Sequence, residues 1–474
     1  MAAPAHPRPG SAGSSARAAM TPAIVATAAV SALASLLYGY DTGIISGALL
    51  QISDEFGIEH GMEQVIAGGI LLGAVVGALV CSRLSERRGR HSTMIIIASV
   101  FIVGALLCAV APTAWTLAAA RVVLGFAVGG ATQTVPMFVA ELAPPAVRGR
   151  LVLTFQVGIG VGIVVSTLVG ASQALSWRWS IGLAAVPAAL LLLIVLRLPE
   201  SPRWLVKDDR EDDARAVLER VRPSGADVSA EHEEIVGNVR DEQSESEGHR
   251  GWSGLRQAWV RPALLVGCGI ALFTQLSGIE MIIYYAPTIL TDNGFSRTAA
   301  LNVSVALGVT YLVMMLVGLA VVDRVGRRRL TLVMVPGAAL ALVVLGIVFI
   351  TSGDDVRGSI PFVVACLVVF MVFNAGGLQL MGWLTGSEIY PLAVRAAGTS
   401  AQAAVLWTTN LVITLTTLSV INGIGPGPTM LVYAAFNVAA WIFVWKKMPE
   451  LTGKSLEQIE GHLREGRFAP ADFR

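Results

Sequence analysis

The residues in this chain best suited to chemistry are charges placed where charge is costly. Asp41 lies in L-L-Y-G-Y-D-T-G-I-I-S-G, inside the mostly apolar stretch Ala23 to Leu50. Arg121, in the apolar run Trp115 to Val139, is the comparably placed cation of the N-terminal half. A charged side chain near a bilayer centre costs about 2.5–3.5 kcal/mol on insertion scales, so such residues face a cavity and work there. Opposite charges in two apolar runs of one half-chain predict a pair, and a pair predicts a switch. Glu280, in Q-L-S-G-I-E-M-I-I-Y-Y-A-P, sits beside Gly278 and the Tyr284–Tyr285 pair. Facing a cavity, it would bind a substrate amine or hydroxyl or be a second proton site; packed and protonated, it would act as a neutral acid.

These charges need membrane spans to hold them. The chain is 54% hydrophobic and 14% charged, with a mean hydropathy of +0.67, whereas soluble domains carry about 25% charged residues. With about twenty residues needed per crossing, twelve runs stand out, near 22–48, 63–82, 93–112, 115–139, 151–172 and 179–198, then 262–290, 299–322, 329–351, 359–386, 397–420 and 428–446. Residues 199–261 are too charged to cross, and Asp208 to Val221 reads as a helix with Ala214, Val217, Leu218 and Val221 on one face. The expected organisation is an all-α membrane protein with twelve transmembrane helices. A disordered cytoplasmic tail (1–21) precedes a six-helix bundle (22–198), a cytoplasmic central loop with short helices (199–261), a second six-helix bundle (262–447) and a cytoplasmic C-terminal tail (448–474). The first twenty residues lack the short apolar core and cleavage site of a signal peptide.

Loop charges orient the chain. Arg83, Arg87, Arg88 and Arg90 follow the second run, Arg148 and Arg150 the fourth, and Arg324, Arg327, Arg328 and Arg329 the eighth. Arg395 follows the tenth, and Lys446 and Lys447 end the twelfth. The opposite loops hold scattered Arg178, Arg297 and Arg357, and the first of them is acidic. The positive-inside rule therefore predicts cytoplasmic termini and a cytoplasmic central segment in a multi-pass protein of the cell membrane.

The chain also repeats itself. E-L-A-P-P-A-V-R-G from Glu141 returns as E-I-Y-P-L-A-V-R-A-A-G from Glu388, an offset of 247 residues; S-E-R-R-G-R-H around Glu86 returns as V-D-R-V-G-R-R around Asp323, an offset of 237; P-E-S from Pro199 returns as P-E-L from Pro449, an offset of 250. Three matches at nearly one offset predict two similar, pseudo-symmetric halves, as in transporters that rock about a midplane site. Around these repeats, Glu86, Glu141, Asp323, Glu388, Glu200 and Glu450 meet Arg90, Arg148, Arg327 and Arg395 at span ends. The arginine fork suits carboxylates and is easily released to water, as a latch requires.

Other chemistries find little support. A net charge of +1 makes no case for nucleic acid. Cys81, Cys108, Cys268 and Cys366 sit in apolar runs without metal spacing and read as small buried hydrophobes. There is no Gly-rich phosphate loop, metal cluster or nucleophile triad, so neither an enzyme nor a cofactor is expected; Gly158, Gly160 and Gly162 read as close helix packing.

At its motifs the chain resembles the sugar porter family of the major facilitator superfamily, from about Leu37 to Glu460. The resemblance rests on G-Y-D-T-G-I-I-S-G, the two D/E-R-x-G-R loops, R-V-V-L-G-F-A-V-G, P-E-S-P-R-W-L-V, Q-L-S-G-I-E-M-I-I-Y-Y-A-P and P-E-L-T-G-K-S-L-E-Q-I-E. It implies the major facilitator fold, alternating access and a small polyhydroxylated solute, with the charged span ends latching the two bundles while the cavity faces outward. It also implies proton coupling, because the family's symporters carry Asp at position 41 where passive facilitators commonly carry Asn. Family sugar ligands correspond here to Gln156, Gln275, Trp383, Trp407 and Asn410, with Thr274 and Glu280 in place of a usual Gln and Asn. Amides suit sugars as paired donors and acceptors, and indoles offer a flat face with one N–H. The site departs further at Gln379-Leu380, where the family has Gly-Pro, and at Ile163, Leu406 and Tyr311, often amides in xylose and glucose carriers.

The resulting expectation is a proton-coupled importer of a sugar, polyol or related small polar solute, working as a monomer in the bilayer. Two alternatives remain: a facilitator or exporter of another metabolite, one bearing an amine for Glu280, and a non-transporting nutrient sensor. Only 27 residues follow Lys447, which weighs against the sensor.

Overall fold

The computed structural model describes residues 21–223, 225–244, 251–352, 357–454 and 456–473; the N-terminal tail lies outside them except for Thr21, and so does the side chain of Arg148. Twelve helices among the described residues are long and apolar enough to cross a membrane. The first six are Pro22–Phe56, His60–Arg88, Arg90–Ala109, Ala114–Leu142, Thr154–Ser172 and Trp177–Val195. The second six are Arg261–Asp292, Arg297–Val325, Arg327–Ser352, Ile360–Gly386, Arg395–Ile424 and Pro426–Lys447.

Local chemistry sets many of the span ends. Thr21 accepts from the Ile24 N–H ahead of Pro22, and Gly57 in the left-handed region closes the first span. Thr113 and Thr116 form a reciprocal capping box at the start of the fourth. The first span runs to Phe56 and the second begins at His60, so both reach beyond the apolar runs that mark them in sequence. Polar residues extend a helix readily once its apolar part is anchored.

Three spans are interrupted. The sixth breaks between Gly182 and Ala185, and the seventh at Ser277–Gly278, where Gly278 has φ of 94°. The tenth breaks between Ala375 and Leu378, at Gly376 and Gly377, an interruption the sequence reading did not anticipate. Freed backbone groups at membrane depth are tolerated only where protein or a cavity surrounds them.

The halves pack on small residues. A Cβ at Gly39 would run into the Ile159 carbonyl, and one at Gly162 into Leu36 and Tyr40, so the first and fifth spans touch backbone to backbone. Large apolar side chains such as Leu72, Val103, Trp179, Val333 and Phe362 are exposed on the outer surface, as expected of helices facing lipid. All four cysteines are free; Cys81 and Cys108 are buried, and Cys268 and Cys366 are half-buried.

The segment between the halves folds over one end of the spans, called here the central-segment face. It holds the helices Pro202–Lys207, Glu211–Val221, Ser229–Ser244 and Gly251–Gly254. The Arg222 side chain donates to the Leu142 carbonyl and pairs with Glu231 at 2.5 Å, and Thr21 donates to the Val221 carbonyl. The C-terminal stretch is more than a tail. Its helix Leu456–Arg464 and the following residues bury Ile459, Leu463, Phe468 and Phe473 against Tyr390, Val444 and Met448.

Candidate functional site

Asp41 and Arg121 meet as their placement in sequence predicts. Arg121 Nη2 stands 3.5 Å from Asp41 Oδ2, with both side chains buried. That separation exceeds the 2.7–2.9 Å of a charge-assisted hydrogen bond, so the pair is held by Coulomb attraction at close range. Arg121 Nε donates to the Ile66 carbonyl at 2.8 Å, while Nη1 and Nη2 are buried with no hydrogen-bond partner. The guanidinium is thus anchored by one edge and free to respond at the other.

Beside this pair lies a small cavity of about 10 Å³ lined by Tyr38, Asp41, Thr42, Tyr284 and Trp407 among others, on the order of the room one water needs. Asp41 therefore faces the seam between the halves, because Tyr284 and Trp407 come from the seventh and eleventh spans. Trp407 is wedged between Tyr38, with ring centroids 5.4 Å apart, and Trp383, at 6.3 Å, both edge-on. Its indole N–H is buried with no acceptor. Gln275, Gln156 and Glu280 each likewise bury an unpartnered oxygen. A buried polar atom without a partner is costly, and of these four residues Trp407 lines the cavity itself.

The remaining expected ligands divide. Asn410 is buried, accepts from the Thr414 hydroxyl at 3.1 Å and lies within hydrogen-bonding reach of the Glu280 carboxyl. Thr274 is buried and satisfies its hydroxyl on its own helix. Its hydroxyl donates to the Ile270 carbonyl at 2.7 Å, and the side chain packs against Gly382. In place of a long amide, a short hydroxyl satisfies itself on its own helix. Gln156 and Trp383 alone among the expected ligands are half-buried rather than buried. Ile163, Leu406 and Tyr311 are buried.

Sequence reasoning gave no role to Tyr38, which reaches Trp407 from the opposite half; its position one turn before Asp41 was the available signal. Asn374 is buried with both amide atoms unpartnered, and Gln379 leaves its oxygen unpartnered. A lone Asn within I-P-F-V-V-A-C-L-V-V-F-M-V-F-N-A could have marked the first.

At the central-segment face the repeated charges form two matching clusters, one per half. Arg90 grips Glu141 with two bonds, at 2.9 and 3.0 Å, and Ser201 donates to the same carboxylate at 2.5 Å. Arg327 grips Glu388 at 3.1 and 2.8 Å and also meets Asp323 at 2.7 Å. Glu200 accepts from the backbone N–H groups of Arg90 and His91, and Glu450 from those of Arg327 and Arg328. Each carboxylate thus sits on a helix N-terminus, where the exposed N–H groups favour negative charge. Gly89 and Gly326, with φ of 90° and 96°, make the corners, and a Cβ at either would strike the capping carboxylate.

These pairs are drawn within each half, whereas the resemblance implies charged span ends that latch the two bundles to each other. Glu86 and its counterpart Asp323 are both exposed, but whereas the Asp323 carboxylate meets Arg327, it is the Glu86 backbone carbonyl that is engaged, accepting from Trp204. Arg395 Nε donates to the Tyr390 carbonyl. The two halves are tied to each other mainly at the far face, through Arg297–Asp54 at 2.5 Å, His60–Asp292 at 3.4 Å and Gln64–Ser419 at 2.8 Å. Nearer the central-segment face, Ser82 and Ser400 meet at 2.9 Å.

The chain is similar to known proteins in sequence and in fold. Residues 27–463 match the family model described as sugar (and other) transporter. The D-xylose transporter of Levilactobacillus brevis is 37% identical over 439 residues, covering 91% of this chain and 94% of that protein. The galactose-proton symporter of Escherichia coli is 35% identical over 443 residues, covering 92% and 94%. The E. coli xylose transporter XylE in a partially occluded inward-open conformation superposes with a TM-score of 0.77 at 25% identity, covering 92% of this chain and all of that one.

Proposed function

The chain belongs to the sugar (and other) transporter family, and we propose that it imports a sugar or related polyol by symport with protons through alternating access. The observation that carries this reading is the buried Asp41–Arg121 pair opening onto the same cavity as Trp407 and Tyr284. A proton site and a solute site that share a wall can each bias the same rearrangement, which coupling requires. Relatives named as a D-xylose transporter and a galactose-proton symporter support the solute class and the coupling ion.

In the cycle, the cavity opens to the outside and Asp41 takes a proton from water, which neutralises the carboxylate and releases Arg121. Burial raises and a nearby guanidinium lowers the proton affinity of a carboxylate in general, so moving Arg121 toward or away changes that affinity between states. Gln156, Gln275 and Asn410 supply amide donors and acceptors to hydroxyls, while Trp383 and Trp407 give flat faces and N–H groups. The bodies 22–198 and 262–447 then rock about this site, with Arg90–Glu141 and Arg327–Glu388 holding each together at one end. The Arg and Lys bias of the loops supports placing the central-segment face and both termini in the cytoplasm of a cell-membrane protein that works as a monomer.

Purified protein in proteoliposomes, offered radiolabelled D-xylose, glucose, galactose and myo-inositol with and without an inward proton gradient, tests the reading. Accumulation of at least one of them only with the gradient is expected; equal equilibration with and without it overturns symport. Cysteines at Glu59 and Ala226 test the orientation. The first should react with an impermeant thiol reagent in intact cells and the second only after permeabilisation, and the reverse pattern inverts the topology.

A further inference from the structure

We propose, resting on the transport reading above, that Glu280 is a second proton-carrying carboxylate, the counterpart of Asp41 in the C-terminal half, so that each solute crosses with two protons.

The internal repeat places the two residues together. G-Y-D at Gly39, Tyr40 and Asp41 returns as G-I-E at Gly278, Ile279 and Glu280, an offset of 239 residues. That lies within the 237–250 spread of the three repeats at the span ends. The first and seventh spans are therefore counterparts, and each carries its carboxylate two residues after a glycine. The repeat does not extend to the cation. Arg121, shifted by the 247-residue offset of its own span, falls at Val368. The C-terminal half thus has the carboxylate without the arginine.

The surroundings of Glu280 bear this out. It is buried, and its Oε2 has no hydrogen-bond partner. From its neighbours come Asn410 of the eleventh span, Tyr38 of the first, Tyr311 of the eighth and Tyr284 of its own helix. Tyr284 also neighbours Thr42, Asp41 and Arg121, so it is close to both carboxylates. No Lys or Arg pairs with Glu280 among the described residues, and Arg121 is engaged with Asp41.

Charge bookkeeping then decides the state. Arg121 is held on the Ile66 carbonyl beside Asp41 and forms no ion pair with Glu280, so an ionised Glu280 is an unpaired negative charge in a closed, largely apolar seam whether or not Asp41 carries its own proton. An isolated buried carboxylate neutralises rather than remain charged. When the cavity is open, water can solvate the anion; when it closes on a neutral sugar, the missing positive charge must be a proton on Glu280. The carboxylate takes that proton from water on the side the cavity faces and returns it to water on the other, with no other bond changed. A second proton deepens accumulation, because 100 mV drives one charge about fiftyfold.

The stoichiometry is read from the solute ratio at which net flux vanishes. Proteoliposomes are clamped at zero potential with potassium and valinomycin under a gradient of about half a pH unit, using whichever of D-xylose, glucose, galactose or myo-inositol is taken up. Two protons predict a zero-flux ratio of about tenfold in the wild type, and one proton about threefold. Glu280→Gln keeps the shape and removes the charge; it should fall to about threefold while still exchanging solute in counterflow. A wild-type ratio of about threefold overturns the proposal whatever the variant does, as does a Glu280→Gln ratio that stays near tenfold. If threefold is accompanied by preference for glucosamine over the neutral sugar, the positive charge belongs to the solute and the proposal fails. A wild-type ratio of one would instead sink proton coupling itself, and with it the symport reading.

Discussion

The first and seventh spans occupy matching places in the two halves, yet they are built differently. Pro22–Phe56 is one continuous helix of 35 residues, and its carboxylate faces the arginine of the fourth span, which the Ile66 carbonyl of the second span holds by one edge. Arg261–Asp292 is broken at Ser277–Gly278, and its carboxylate faces an amide and tyrosines. The same contrast separates the fourth span, continuous from Ala114 to Leu142, from the tenth, broken at Gly376–Gly377. The span-end clusters, by comparison, are near copies. A duplicated scaffold has kept its hinges alike and let its cavity walls diverge: the N-terminal wall holds a charge pair on continuous helices, while the C-terminal wall carries the unpartnered oxygens of Gln275 and Glu280 on an interrupted one.

The contrast can be broken most sharply at Asp41. Asp41→Asn and Glu280→Gln should each remove one of the two coupled protons, lowering the zero-flux solute ratio under a half-unit pH gradient from about tenfold to about threefold while counterflow continues, and only the double variant should lose accumulation altogether. A ratio that Asp41→Asn leaves near tenfold would show that the N-terminal wall is not a coupling site.

The next largest effects are expected at the arginines. Arg90 and Glu141 have side chains 4% and 11% exposed, against 12% and 26% for Arg327 and Glu388. Removing one partner of a buried pair costs about 3–5 kcal/mol, and water can partly replace the lost contact where exposure is greater. Arg90→Ala should therefore lower the thermal unfolding midpoint in detergent more than Arg327→Ala; the opposite order would mean that exposure of the pair does not set the cost of breaking it. On the C-terminal wall, Gln275→Leu should raise the half-saturating solute concentration about tenfold, the worth of one or two hydrogen bonds, with maximal rate largely kept. A fall in rate at unchanged half-saturation would remove Gln275 from the solute site. The smallest effects belong to the helix-end carboxylates. Glu200→Gln and Glu450→Gln should each cost about 0.3–1 kcal/mol, and unequal shifts in unfolding midpoint would expose a difference between the hinges that their geometry does not show.

Much of this was open to reading from the chain alone. Span number and order follow from runs of apolar residues, because crossing a bilayer demands length and composition that few other structures need. The pairing of Asp41 with Arg121 was legible because each is costly alone, and the duplication because its motifs are local and charged. The tertiary structure decided what depends on where side chains turn. It drew the arginine latches within each half, folded Thr274 onto its own backbone, brought Tyr38 across the seam to Trp407 and packed the C-terminal segment against Tyr390. In a membrane protein the lipid-facing and buried surfaces are both apolar, so hydrophobic pattern cannot say which face of a helix meets which neighbour. Only packing in three dimensions makes that choice, and with it the choice of which polar groups line the cavity and which satisfy themselves elsewhere.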